Sequence, residues 1–220
     1  DRVWGEASHE NNPPTFYLML VGWGHLVGWS DIQLRLFSLV LGLPAVAAVY
    51  RLGRDFHTHR TGLFSAILLG FCGFFIFYLH EMRTYSLSVT LAALGLLAYV
   101  NFMRHQGRGW VWGTLVVVCA SGLIYTHYSN ALIRLPLGLY HLIFARKNRR
   151  WWQMVGLVLF GAATFLPYLP RFISTYRRFV DVTVEYVPEW TFSDKLSMVI
   201  SGFTNDAWFM LIPIIIGLVW

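Results

Sequence analysis

Within the six residues His80-Glu81-Met82-Arg83-Thr84-Tyr85 the chain gathers an imidazole, a carboxylate, a guanidinium and a phenol. Glu81 has the chemistry of a general base, or of a group that orients a sugar hydroxyl. Arg83 offers a planar, bidentate donor to a phosphate. His80 and Tyr85 flank them as pocket-lining groups. An apolar run begins at Tyr85. A helix starting there turns its free N–H groups and the positive end of its dipole toward the same cluster, which favours an anion. A helix cap with a surface ion pair is the competing reading, and spacing alone does not separate the two.

Other polar groups interrupt apolar surroundings. Tyr125-Thr126-His127-Tyr128-Ser129-Asn130 forms a tight turn between two apolar runs, with His127 and Tyr128 as candidate pocket residues. Ser8-His9-Glu10-Asn11-Asn12-Pro13-Pro14 precedes another apolar run. Glu10 is a weaker catalytic candidate there and Asn12 a pocket candidate, while His9 and Glu10 alone are a poor metal signal. His57-Thr58-His59 lies among arginines, where a metal role is not expected. Arg35 and Arg134 sit inside apolar runs, where an arginine must face a cavity or a partner. Arg134 lies roughly 8–9 Å below the 126–129 turn at 1.5 Å per residue. From there it is a candidate for a headgroup-level phosphate, the alternative being snorkelling or an internal ion pair. No P-loop, GxGxxG, GxSxG or HExxH pattern is present.

The elements that must carry these groups are set by composition. The 220 residues are 56% hydrophobic and 13% charged, about half the charge of an ordinary soluble domain. Lipid is the expected solvent. Cys72 and Cys119 both fall in apolar runs and fit neither a disulfide framework nor a metal spacing. The net charge of +6 forms no stripe interleaved with polar surface, so nucleic acid is not an expected partner. The predicted fold is all-α, a polytopic transmembrane bundle forming one domain over 1–220. Six spans are predicted at 31–52, 61–79, 85–103, 110–125, 129–144 and 151–171, with the start of a further span in 207–220. Segment 14–29, opened by Pro13-Pro14, is apolar but short, and is predicted as an interfacial helix inside a first outer loop, 1–30. Both ends read as truncated.

Lysine and arginine orient the bundle. Arg51, Arg54 and Arg60, then Arg104 and Arg108, then Arg146, Lys147, Arg149 and Arg150 occupy alternate loops, which are therefore cytoplasmic. Segments 1–30, 80–84, 126–129 and 172–206 are then extracytoplasmic, and ten of the eleven acids lie with them, Asp55 being the exception. An enzyme using carboxylates at that face would show this asymmetry. The 172–206 stretch is long for a connector, which suits a lid or an acceptor site.

Five segments, in order, resemble one family. NNPPTFYLML resembles the HPPLYYLLL segment of lipid-linked sugar transferases of the GT-C superfamily, in the branch holding protein O-mannosyltransferases and the lipid A aminoarabinose transferase. LRLFSLVLGLPAVAAVYRLGRDF resembles RLPSALFGLLTVLLVYLLGRRLF, and FYLHEMRTYSL resembles YYSQEARMYAL. YTHYSNAL and FLPYLPRFI resemble THYFALL and LPWLP. The likeness covers about residues 10–173.

This resemblance implies a glycosyltransferase that takes a sugar from a polyprenyl-phosphate carrier and passes it to a lipid, glycan or protein acceptor on the periplasmic or lumenal face. A multi-pass protein of the bacterial inner membrane, in contact with membrane lipids, is the expected setting. In that scheme Arg83 with Arg134 holds the donor phosphate, Glu81 acts on acceptor or sugar, and His80, Tyr85, His127 and Tyr128 line the pocket. A single-phosphate donor makes no metal obligatory, a divalent cation being optional. Two departures stand out. Asn12 replaces a histidine common in the family. The family's main acid usually lies some twenty-odd residues before the Pro-Pro, and twelve residues precede Pro13 here. That acid is expected to be missing, with Glu6 or Glu10 as its substitutes. A transporter or flippase, which should show broken helices meeting at mid-membrane, and a non-catalytic lipid-binding subunit are the rival readings.

Overall fold

A computed structural model describes residues 13–104, 108–183 and 191–204. Glu10, Asn12, Glu185, Glu189, Trp190, Asp206 and the predicted further span at 207–220 lie outside the described residues.

The protein is an all-α helical bundle. Helix α1, Thr15–Val27, stops at Gly28, whose φ of 121° belongs to glycine and whose N–H closes on the Gly24 carbonyl at 2.9 Å. Any side chain at Gly28 would meet Gln33. That glutamine is occupied: Ser30 and Gln33 form a capping box that starts α2, Asp31–Phe56. The Trp23 indole also donates to the Gln33 carbonyl at 2.8 Å. Thirteen residues make α1 about 20 Å long, too short for a hydrocarbon core of about 30 Å. Its Phe16 and Leu20 bury against Phe37 and Leu87.

Helix α2 packs on α3, His59–Gly70, and on α5, Tyr85–Met103. The α2–α3 seam is glycine on glycine: a Cβ at Gly62 would stand 2.6 Å from the Tyr50 carbonyl oxygen, and one at Gly53 would stand 2.9 Å from the Gly62 Cα. Such close backbones are how membrane helices gain dispersion contacts without a hydrophobic drive. Helix α6, Gly109–Thr126, packs on α5 and on α9, Arg149–Ala163.

Among the described residues four helices, Asp31–Phe56, Tyr85–Met103, Gly109–Thr126 and Arg149–Arg177 (across a short 3-10 turn), are long and apolar enough to cross a membrane. Two predicted spans differ. The 61–79 run bends by 56° between α3 and α4, Gly73–His80, at Phe71-Cys72. Gly70 and Gly73 flank that bend, and glycine is a weak helix former. The 129–144 run is not one continuous helix. It divides into α7, Asn130–Ile133, and α8, Leu135–Ile143. Pro136 has no N–H to give the Leu132 carbonyl, so the ladder fails there. Helix α8 is held by its far end: the Trp151 indole donates to the His141 carbonyl at 2.8 Å, the two rings stack at 5.0 Å, and Tyr99 Oη lies 3.0 Å from His141 Nδ1.

Part of the predicted 172–206 connector is helical. Helix α10 runs Leu169–Thr183 and α11 runs Phe192–Thr204. Thr191 caps α11, and its hydrogen bonds hold the Asp194 carboxyl below the usual carboxylate range.

The alternation of arginine-rich and arginine-poor junctions becomes two ends in space. Arg104 donates to the Asp55 carbonyl at 3.1 Å and lies 4.3 Å over the Phe56 ring. Arg150 donates to the Phe102 carbonyl at 2.7 Å. At the opposite end Arg35 and the 80–85 turn meet, as do Tyr85 and His127.

Candidate functional site

The 80–85 turn is held from α2. Arg35, paired with Asp31 at 2.8 Å, donates to the His80 carbonyl at 2.8 Å. The Ser38 hydroxyl donates to the Glu81 carbonyl at 2.7 Å. The intramembrane arginine of α2 therefore has both an ion pair and a backbone partner. His80 Nδ1 lies 2.8 Å from the Ile76 carbonyl. A carbonyl can only accept, so Nδ1 carries the hydrogen and Nε2 remains the free ring nitrogen.

These clamps act on the backbone and not on the side chains. The Glu81 side chain is 34% exposed and that of Arg83 62%, with Arg83 Nε 3.9 Å from Glu81 Oε2. That is a loose ion pair, longer than a direct hydrogen bond, with both side chains reachable from solvent. Thr84, the N-cap of α5, makes no side-chain cap, so the first N–H groups of α5 are not satisfied by that residue. Ser86, 1% exposed in the first turn, has a buried hydroxyl without a hydrogen-bond partner among the described residues.

Tyr85 joins the turn to the second polar cluster. Its ring stacks with His127 at 6.5 Å and tilts against Tyr78 at 4.2 Å. His127 Nδ1 accepts from the Ser129 N–H at 3.1 Å. The Tyr128 ring instead packs on Phe172 at 4.6 Å and on Phe165 at 6.3 Å. Burial, reinforced by Tyr168, pushes the Tyr128 phenol well above the usual range, so it stays neutral and can donate. Asn130 is buried and donates to Ser88 Oγ at 2.9 Å and to the Leu123 carbonyl at 3.0 Å. Asn130→Ala removes both of these bonds, while the Leu123 carbonyl keeps the His127 N–H at 3.2 Å and Ser88 keeps its bond to the Thr84 carbonyl at 2.9 Å. The substitution is expected to cost about 1–2 kcal/mol, read as a lower melting temperature in detergent with helix content retained.

Beneath the turn lies an apolar cavity of about 770 Å³ between α4, α5, α7 and α8. Tyr78, Tyr85, Ser86, Ser88 and Asn130 form its polar upper wall. Arg134 stands in the same cavity, at the α7–α8 break, with no hydrogen bond or ion pair among the described residues. Its guanidinium reaches inward: a Cβ at Gly95 would lie 3.1 Å from one of its nitrogens. Gly95 is ten residues into α5 from Tyr85, or about 15 Å along the axis. Arg134 is therefore at mid-depth, and Arg83 and Arg134 are not brought to one level.

Glu81, Arg83, His80, Tyr85 and His127 are thus gathered at one end of the bundle, Tyr128 faces α10, and Arg134 is set deeper. Sequence reasoning does not reach Arg35 and Ser38 as clamps, or Ser86 as a cavity group. A serine in an apolar helix carries no signal of what it meets forty residues away. Among the described residues no three His, Cys, Asp or Glu side chains come together as a metal site.

A bundle of membrane-length helices, with a carboxylate–guanidinium pair at one end and an apolar cavity below it, defines an integral membrane protein. Residues 11–173, about three quarters of the chain, match the family described as dolichyl-phosphate-mannose-protein mannosyltransferase. The chain belongs to that family and is a membrane glycosyltransferase of the GT-C type. No curated protein and no solved structure gives a match.

Proposed function

We propose that this glycosyltransferase takes its sugar from a polyprenyl-phosphate carrier and delivers it on the extracytoplasmic face. The observation that carries the reading is the arrangement of the Glu81–Arg83 pair at the end of the bundle where Tyr85 also lines the 770 Å³ apolar cavity. The prenyl chain occupies the cavity and its phosphate faces Arg83, with the α5 N-terminus behind it. Arg134, at mid-depth, supplies positive charge that draws the phosphate toward the cavity.

The step balances simply. Glu81 takes the proton of an acceptor hydroxyl, whose oxygen bonds to the anomeric carbon. The bond from that carbon to the phosphate oxygen breaks, and the electron pair leaves with the phosphate. Arg83 stabilises the charge that grows there. His80, Tyr85 and His127 line the sugar pocket and Tyr128 its α10 side, with Asn12 and Glu10 as further contributors from the segment before α1. Acceptors are a lipid, glycan or protein hydroxyl. No obligatory metal takes part, a divalent cation being optional. The placement of the arginine-rich junctions at the opposite end supports the orientation.

Broken helices beside a mid-depth arginine are features a transporter would share. Family membership favours transfer, and the breaks then serve to open the cavity. The test is turnover by the full-length protein in nanodiscs, with a polyprenyl-phosphate sugar offered against the matching nucleotide sugar. Transfer from the lipid donor alone is expected. Transfer from the nucleotide sugar, or movement of intact lipid donor across the bilayer without transfer, would overturn the proposal.

A further inference from the structure

A second groove lies at the arginine-rich end, on the outside of the bundle between α6 and α9. It holds about 690 Å³ and is lined by Gly109, Trp110, Gly113, Arg150, Gly156 and Phe160 among others. Its mouth is electropositive for three separate reasons. Arg150 closes it, half-buried, with its guanidinium 5.0 Å over the Phe102 ring and one nitrogen bonded to the Phe102 carbonyl. Among the described residues its other N–H groups have no hydrogen-bond acceptor and remain for a ligand. Helix α6 begins here on Arg108 without a side-chain cap, so its first N–H groups are not satisfied by that residue. Helix α9 begins at the same mouth, so two macrodipoles present their positive ends together. Arg108 and Arg149 are exposed beside them.

Below the mouth the groove is apolar and shallow-walled. It extends from Gly109 to Val117 on α6 and from Arg150 to Phe160 on α9, roughly 12–15 Å along the helices. That is about half of a hydrocarbon core of about 30 Å, the depth of one leaflet. Trp110 is 70% exposed at the mouth, where an indole sits at headgroup level. Gly156 opens the floor: a Cβ there would have no atom within 4 Å.

We propose that this groove is a binding site for an anionic phospholipid of the cytoplasmic leaflet, with the phosphate at Arg150 and the α6 N-terminus and one acyl chain along Gly113 and Gly156. Basic recesses between helices on that side suit anionic headgroups. The site is separate from the donor cavity. The inference rests on the orientation proposed above, but its test needs neither donor nor turnover.

The experiment is native mass spectrometry of the full chain in mild detergent, with phosphatidylglycerol or phosphatidylcholine added at equal concentration. The wild type is expected to retain phosphatidylglycerol about tenfold more strongly. Gly156→Leu, whose Cβ meets no atom within 4 Å and whose side chain projects into the groove, is expected to abolish that retention. Arg150→Gln is expected to remove the preference while leaving weak binding of both lipids. Circular dichroism before lipid addition checks that each variant is folded. Equal retention of the two lipids by the wild type would overturn the proposal, as would retention unchanged in both variants.

Discussion

Glu81→Gln in the full-length protein is expected to lower kcat for sugar transfer by roughly 10²–10⁴-fold, the range for loss of a positioned proton acceptor. The amide keeps the shape of the carboxylate and still leaves the Ser38 bond intact, because that bond goes to the Glu81 backbone carbonyl. The turn therefore keeps its place and only the chemistry changes. Arg83→Ala acts on the other partner. It removes charge from the leaving phosphate and is expected to cost about 10²–10³-fold in kcat. The readout is steady-state transfer in nanodiscs, with circular dichroism and melting temperature as fold controls. A helix cap would behave differently, because loss of a surface ion pair changes stability by about 1 kcal/mol or less and leaves kcat unchanged. If both variants turn over like wild type while remaining folded, the 80–85 turn is a cap and not the site.

Gly62→Val is expected to be strongly destabilising. Its new Cβ would stand 2.6 Å from the Tyr50 carbonyl oxygen and 3.1 Å from the Arg54 nitrogen. Both are backbone atoms, so no rotamer change relieves the contact and α2 and α3 must part. Overpacking of this kind costs about 1–3 kcal/mol or more. Separating the helices also forfeits the dispersion contacts along the seam. The effect should reach the site, because α3 continues through the Phe71-Cys72 bend into α4, which ends at His80. Gly138→Ala is the matched control: no atom lies within 4 Å of its Cβ position. Replacing a mid-helix glycine there should be neutral or stabilising by up to about 1 kcal/mol. Unfolding of both variants in a graded detergent series measures the difference. Equal stability of the two would show that the α2–α3 approach is looser than these distances.

Part of the candidate site is legible in the chain itself. Glu81, Arg83 and Tyr85 are neighbours along it, so their proximity needs no tertiary contact. His127 is recognisable as a polar group in a turn, and that turn must lie at the same end because two helices separate it from the 80–85 turn. Tyr128 is different: its position in the chain groups it with His127, but the ring turns the other way. One residue of chain reverses the side it faces, and the Phe165 and Phe172 rings, with Tyr168, decide where it rests. Arg134 is placed along the chain by its apolar surroundings, yet its depth is not the headgroup level expected of it. A long side chain spans several ångströms, and its direction follows from the α7–α8 break, the small Gly95 opposite it and the empty volume between.

Residue order alone is enough to establish an all-α membrane protein, the course of its apolar helices, and the alternation of arginine-rich and arginine-poor junctions. Those properties are local, since a helix in lipid must satisfy its own backbone and its apolar length must match the bilayer. Packing sets the rest: the clamps from Arg35 and Ser38, and the cavity under Tyr85. Each depends on how one helix is rotated against another. The pairs involved are separated by 45 and 43 residues for Arg35–His80 and Ser38–Glu81. Hydrophobic pattern says little about rotation when every face of a helix meets either lipid or another apolar helix. Small residues and single hydrogen bonds set it, and their partners become visible only once the helices are packed.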